Sequence, residues 1–192
     1  MIRRSIPAVL LTTTLVSCLA WAQAYSRGGD GTITDPGLHA RSPDLSLMAY
    51  LPWVDGVGFG LDLRFEIPVL PDGFIPNVND EFAIEPALKL AYRSYGYGYN
   101  YPFGNGDSVH FFDVVPAVYG IWSFWFSPKF RAYGGLGLGY DVAIASGTYG
   151  GPNAGRFYWD PVVGLFYSFA RNVAVRGEAG AQGLKGGLSF SF

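Results

Sequence analysis

Ser108, His110 and Asp113 come nearest, by type and spacing, to a catalytic set in this sequence. A serine hydroxyl, an imidazole base and a carboxylate are the parts of a hydrolytic nucleophile. In an extended stretch Ser108 and His110 share a face, whereas Asp113 has the opposite parity. Such a trio is also common by chance. The other histidine, His39, has no identifiable partner. Zinc-ligand spacing, a phosphate loop and a calcium-binding repeat are all missing from the sequence. Gly104-Asn105-Gly106-Asp107 resembles a calcium loop in composition alone and reads better as turn geometry, since Gly and Asn tolerate positive φ. No catalytic, metal-binding or cofactor-binding residue is assigned, and no cofactor is expected.

The charged residues are more telling for where they recur. Asp62, Arg64, Glu66, Lys89, Arg93, Lys129, Arg131, Asp141, Arg176 and Glu178 each stand opposite an apolar row, separated by Gly, Ala and Ser. A soluble sandwich carries many Lys, Glu, Thr and Asn on its wet face. A sparse row of small residues with charges of both signs suits a confined polar interior, closely packed by ion pairs and hydrogen bonds.

The elements that position these charges follow from a period of two. The clearest strand is 57–69, with Val57, Phe59, Leu61, Leu63, Phe65, Ile67 and Val69 on one side and Gly58, Gly60, Asp62, Arg64 and Glu66 on the other. The same alternation gives strands over 44–51, 82–95, 109–126, 129–144, 156–168, 173–180 and 183–192, eight in all. On the last, Leu184, Leu188, Phe190 and Phe192 oppose Lys185, Gly187, Ser189 and Ser191. Ser127-Pro128 and Ala170-Arg171-Asn172 are tight turns, while 96–108 and 145–155 are longer Gly-rich loops. The 70–81 connection is a misfit, because it falls on the short-turn side. Gly58/Gly60 and Gly135/Gly137/Gly139 leave room for arginine and tyrosine side chains reaching across a narrow lumen and ease tight curvature.

Arg3 and Arg4, the apolar stretch from Ile6 to Leu19 and Ala22-Gln23-Ala24 read as a secretory signal peptide, residues 1–24. Leu15-Val16-Ser17-Cys18 offers a competing reading as a lipobox, in which Cys18, the single cysteine, becomes the lipidated first residue. Residues 25–43, rich in Gly, Asp, Ser and Pro, read as an exposed lead-in segment ahead of a domain over 44–192. The net charge of −2 and the lack of a Lys/Arg patch argue against nucleic acid as a partner. No continuous apolar run after the leader is long enough for a membrane helix. Yet 49% of residues are hydrophobic and 17% aromatic, and these faces need a place.

Lipid against the bulky row supplies that place and forces closure, because each unpaired backbone group in hydrocarbon costs several kcal/mol. Aromatics fall near strand ends, at Tyr50 and Trp53, Tyr92 and Tyr95, Trp122 to Phe126, Phe157 to Trp159 and Phe190 to Phe192, where headgroup belts would hold them. The Tyr95-Gly96-Tyr97-Gly98-Tyr99-Asn100-Tyr101 run reads as an aromatic outer rim, with an adhesive strand edge as the alternative.

From residue 44 to 192 the chain resembles the small eight-stranded outer-membrane β-barrel proteins of Gram-negative bacteria. The resemblance rests on the leader, the dyad pattern and the terminal Leu188-Ser189-Phe190-Ser191-Phe192, which is similar to the C-terminal signal read by the barrel-assembly machinery. The expected fold is all-β, an eight-stranded antiparallel transmembrane barrel with up-and-down topology in the cell outer membrane. Expected partners are outer-membrane lipid, the barrel-assembly machinery during insertion, and a surface ligand at loops 96–108 and 145–155. An interior of this width is filled by its own side chains. The expected role is therefore non-enzymatic, in envelope structure or cell-surface contact. Three alternatives stand beside it: a lipid-modifying hydrolase using Ser108 and His110, a soluble periplasmic binder of a small apolar ligand, and a narrow channel.

Overall fold

The computed structural model describes residues 31–34, 42–53, 57–96, 108–146 and 154–192. The leader with Cys18, His39, Gly104-Asn105-Gly106-Asp107 and the run from Tyr97 to Tyr101 lie outside the described residues. Eight strands form: β1 (Asp44–Pro52), β2 (Val57–Leu70), β3 (Asp80–Gly96), β4 (Ser108–Ser127), β5 (Phe130–Ser146), β6 (Ala154–Ala170), β7 (Val173–Gly180) and β8 (Gly183–Ser191). Each pairs antiparallel with its neighbours in the chain. β1 pairs with β8 from Asp44↔Ser191 to Pro52↔Gly183, so the sheet closes on itself as an up-and-down barrel. No helix among the described residues is long and apolar enough to cross a membrane.

Alternating residue types set the two faces. Along β1, Ser46, Met48 and Tyr50 are buried while Leu47 and Leu51 are exposed. Along β2, Asp62, Arg64 and Glu66 point inward while Phe59, Leu61 and Leu63 are exposed. The polar row thus forms the interior and the apolar row the outside, the reverse of a soluble domain. Prolines interrupt the ladder without breaking it. The β2–β3 register skips Phe65 and Glu66 opposite the Glu85-Pro86 step, and the β4–β5 register skips Val115 and Pro116, where an N–H is missing.

Bulges at Pro68/Leu70, Trp125/Ser127 and Ser168/Ala170 all lie at the end where β1 starts and β8 finishes, here the terminal end. They bend the strands into their turns. Lys129, expected on the inward row of the fifth strand, instead sits in the turn before Phe130 and is exposed. The bulge and the turn release it from the strand's parity. Tyr50, expected in an outer belt, faces inward at 3% exposure because it shares a row with Ser46 and Met48.

The outward rows are graded by height. On β6 they run Phe157, Trp159, Pro161, Val163, Leu165, Tyr167, Phe169. On β4, Phe112 is followed by Val114, Pro116 and Val118, then by Trp122, Phe124 and Phe126. On β5, Tyr140 stands above Leu138 and Leu136 with Val142 and Ile144 beyond it, and Phe130 lies at the opposite end. Two aromatic girdles therefore bracket an aliphatic band, as lipid interfaces require.

Wall height is unequal. β3 to β6 have 17, 20, 17 and 17 residues, against 8, 9 and 9 in β7, β8 and β1. All begin near the terminal end, so the surplus rises at the far end. There β7 stops at Gly180 opposite Val162, while β6 stays paired with β5 as far as Ala143↔Ala154. Gln182 Nε2 donates to the carbonyl of Trp159 at 3.1 Å and Ala181 N to that of Pro161 at 3.1 Å, satisfying the β6 edge just above the β7 turn.

Candidate functional sites: the filled lumen and the far-end rim

Mid-barrel, Arg64 reaches across from β2. Its guanidinium donates to Glu178 Oε1 at 2.7 Å, Asp62 Oδ2 at 3.1 Å and Glu85 Oε2 at 3.2 Å, and lies 3.7 Å from the centre of the Tyr119 ring. Arg176, from β7, donates to Glu85 Oε1 at 2.7 Å, Ser46 Oγ at 3.1 Å and Tyr133 Oη at 2.9 Å. Lys185 Nζ, from β8, bridges Glu178 at 2.7 Å and Asp160 at 2.8 Å. Each cation meets several carboxylates, which is what offsets the cost of several kcal/mol for burying each ion.

Small residues make this density sterically feasible. Tyr119 lies over its cross-strand partner Gly137, and Tyr133 over Gly164, where a Cβ would collide with the rings. Arg64 and Arg176 are fully buried, so the lumen is packed shut at this level.

Toward the terminal end, Arg131 donates to Glu66 at 2.5 and 3.0 Å, with Asp44 at 3.3 Å and Glu81 at 3.5 Å. Its guanidinium lies 3.9 Å from the ring centre of Phe166. Toward the far end, the Lys89 ammonium sits between the faces of Tyr50 (4.6 Å) and Tyr158 (4.2 Å). Above it Arg93 clasps Asp113 with Nε and Nη2. Asp141 lies 3.8 Å from Arg93 and accepts from Arg156 Nε at 3.0 Å, and with Arg156 at 54% exposure the network reaches solvent.

The Ser108, His110 and Asp113 set is not brought together. His110 lies on the outer face of β4, its Nδ1 2.8 Å from Tyr92 Oη and its ring stacked on Tyr92 at 17°. Asp113 points into the lumen, held by Arg93. Ser108 opens β4. Among the described residues no group of three His, Cys, Asp or Glu side chains could hold a metal ion.

Of the charges expected inside, Asp62, Arg64, Glu66, Lys89, Arg93, Arg131, Asp141, Arg176 and Glu178 are buried there. Sequence reasoning missed Glu81 and Asp80. Glu81 precedes the predicted strand start but shares the parity of Glu85 and Lys89, which was the available signal. Asp80 gave none, because its partners lie in the 71–79 connection and on Trp122.

Near the terminal end, residues 31–34 pack against the β2–β3 connection. Asn79 N donates to Ile33 O at 2.8 Å and Asn79 Nδ2 to Thr32 O at 3.3 Å, while Trp125 N donates to Asn79 O at 2.9 Å. This part of the lead-in segment is therefore docked, and Gly31 is buried.

The assembled features are a closed eight-stranded antiparallel wall, a lumen filled by charged, aromatic and a few aliphatic side chains, and an apolar exterior between aromatic girdles. No protein-family model matches the chain, and no curated protein sequence matches it. Among solved structures it is similar to Ail, the attachment invasion locus protein of Yersinia pestis, in complex with the heparin analogue sucrose octasulfate. The TM-score is 0.45 at 14% identity, over 79% of this chain and 97% of that one.

Proposed function

We propose that this chain is a non-enzymatic outer-membrane protein whose role is contact at the cell surface. On this reading the terminal end faces the periplasm and the far end the exterior. Lipid surrounds the aliphatic band, the barrel-assembly machinery inserts the wall, and residues 1–24 are removed on export. One observation carries the reading. The lumen is shut by fully buried Arg64 and Arg176, while β3 to β6 rise beyond β7, β8 and β1 on one side only. A plugged barrel leaves the wall above the far-end girdle and the connections 97–107 and 147–153 as the parts able to meet a partner outside.

The test is adhesion of cells to one another and to coated surfaces, with and without expression. Replacing both loops by short Gly-Ser turns should remove the added adhesion while the barrel keeps its heat-dependent shift in gel migration. Adhesion indifferent to the loops would refute the role. Recovery of the protein in the periplasmic fraction without detergent would refute the location.

A further inference from the structure

The 71–79 connection is longer than either of the other two turns at the terminal end, 128–129 and 171–172. Its backbone folds tightly: Gly73 has φ 60° and Asn77 φ 63°, Gly73 N donates to Leu70 O at 3.1 Å and Val78 N to Ile75 O at 3.2 Å. The fully buried carboxylate of Asp80 pins it, accepting from Phe74 N at 2.8 Å, Ile75 N at 3.3 Å and Trp122 Nε1 at 2.8 Å. Thus the connection is held sideways against the wall.

Its tip exposes three consecutive apolar residues, Phe74 to Pro76, flanked by exposed Asp72 and Asn77. Phe74 is 55% and Ile75 38% exposed, and Pro76 is exposed beside them. Phe74 packs on two residues of the lower aromatic girdle, 5.4 Å from Phe82 and 5.6 Å edge-on to Trp122. The tip therefore continues the lipid-facing surface downward and outward. Elsewhere on the same rim, Lys129 and Arg171 stand exposed in the β4–β5 and β6–β7 turns, with Phe126 and Phe169 exposed at the adjoining strand ends. Cations beside aromatics at this height match phosphate headgroups above acyl chains.

We propose that the β2–β3 connection is a membrane anchor, with Phe74 and Ile75 seated in the phospholipid leaflet on the periplasmic side. The inference rests on the membrane reading given above. Its occupant is phospholipid, because the tip is continuous with the lipid-facing girdle, whereas a protein partner would have to displace lipid from Phe82 and Trp122 to reach it.

The experiment uses the full chain with Cys18→Ser and one added cysteine, Ile75→Cys, Asn77→Cys or Leu138→Cys, each nitroxide-labelled. Each is refolded into phosphatidylethanolamine–phosphatidylglycerol vesicles, and the heat-dependent gel shift confirms folding. Collision with oxygen and with a water-soluble nickel chelate is then measured. The label at 75 should favour oxygen over nickel, at a shallower depth than the label at 138, while 77 should favour nickel. Nickel access at 75 equal to that at 77 would place the tip in water and overturn the anchor. Protection of 75 from both reagents would mean a protein cover, a second copy included, and would overturn it equally. A label at 138 that also favours nickel would instead sink the membrane reading, and the anchor with it.

Discussion

Arg64 on β2 and Glu178 on β7 meet inside the barrel, Nη2 to Oε1 at 2.7 Å, with both side chains fully shielded from solvent. They are separated by 114 positions in sequence, so the contact exists only because β1 pairs with β8 and closes the ring. Truncating Arg64 leaves the layer one cation short: Glu178 keeps Lys185 and Arg176, Asp62 keeps Lys185, Glu85 keeps Arg176, and the buried carboxylates are left in excess. Arg64→Ala should therefore lower the unfolding free energy by about 3–5 kcal/mol, read from denaturant titration of the barrel in lipid vesicles. A loss below about 1 kcal/mol, typical of an exposed pair, would contradict the sealed network.

The Tyr–Gly cross-strand pairs predict opposite outcomes for one chemical change. At Gly137 an added methyl collides with Tyr119 ring carbons, whereas at Gly177 it meets nothing within 4 Å. Gly137→Ala should cost about 1–3 kcal/mol through overpacking. Gly177→Ala should be neutral or stabilising by up to about 1 kcal/mol. The comparison of unfolding midpoints decides, and equal effects would speak against inward packing of Tyr119.

Height along the wall is testable by inserting a charge. Leu138 lies in the aliphatic band of β5 and Tyr140 one outward position nearer the girdle. Leu138→Arg should destabilise the folded barrel by about 2–4 kcal/mol and Tyr140→Arg by about 0–1 kcal/mol. Reversal of that order would mean the band is misplaced.

His110 and Asp113 on opposite faces predict that His110→Ala leaves phospholipid and lipid A turnover unchanged from the parent protein. Loss of a measurable turnover in the variant would restore the hydrolase. The imidazole's exposed bond to Tyr92 predicts a stability change of no more than about 1 kcal/mol.

The packed lumen predicts no discrete conductance steps in a planar bilayer. Steady openings from the unaltered chain would show that the Arg64–Arg176–Lys185 layer parts under voltage.

Parity made the wall readable from sequence. A period of two assigns every residue of a strand to one face as soon as one is placed, and nine of the charges it sends inward are buried there. Parity fails where strands stop. Lys129 has the inward parity of Arg131 but lies in the turn beyond a bulge, where that parity no longer holds. Tyr50 shows the converse: its place near a strand end suggests a belt, but its row, shared with Ser46 and Met48, sets it inward. Which charges pair was unreadable, because Arg64 finds Glu178, and Arg176 finds Glu85, only across the closed ring. Asp80 was hidden too, since its role depends on the left-handed backbone at Gly73 and Asn77 turning the amides of Phe74 and Ile75 toward it.

The unequal strands leave the bilayer with a geometric problem. β7 has 8 residues against 17 in β6 beside it. At about 3.3 Å per residue and a tilt of about 40°, eight residues rise about 20 Å, short of the apolar band of about 25 Å that such a barrel presents to lipid. The taller side can match that thickness and the lower side cannot. The barrel must lean, or the lipids flanking β7 and β8 must compress, and either strain settles beside the seam where β8 meets β1.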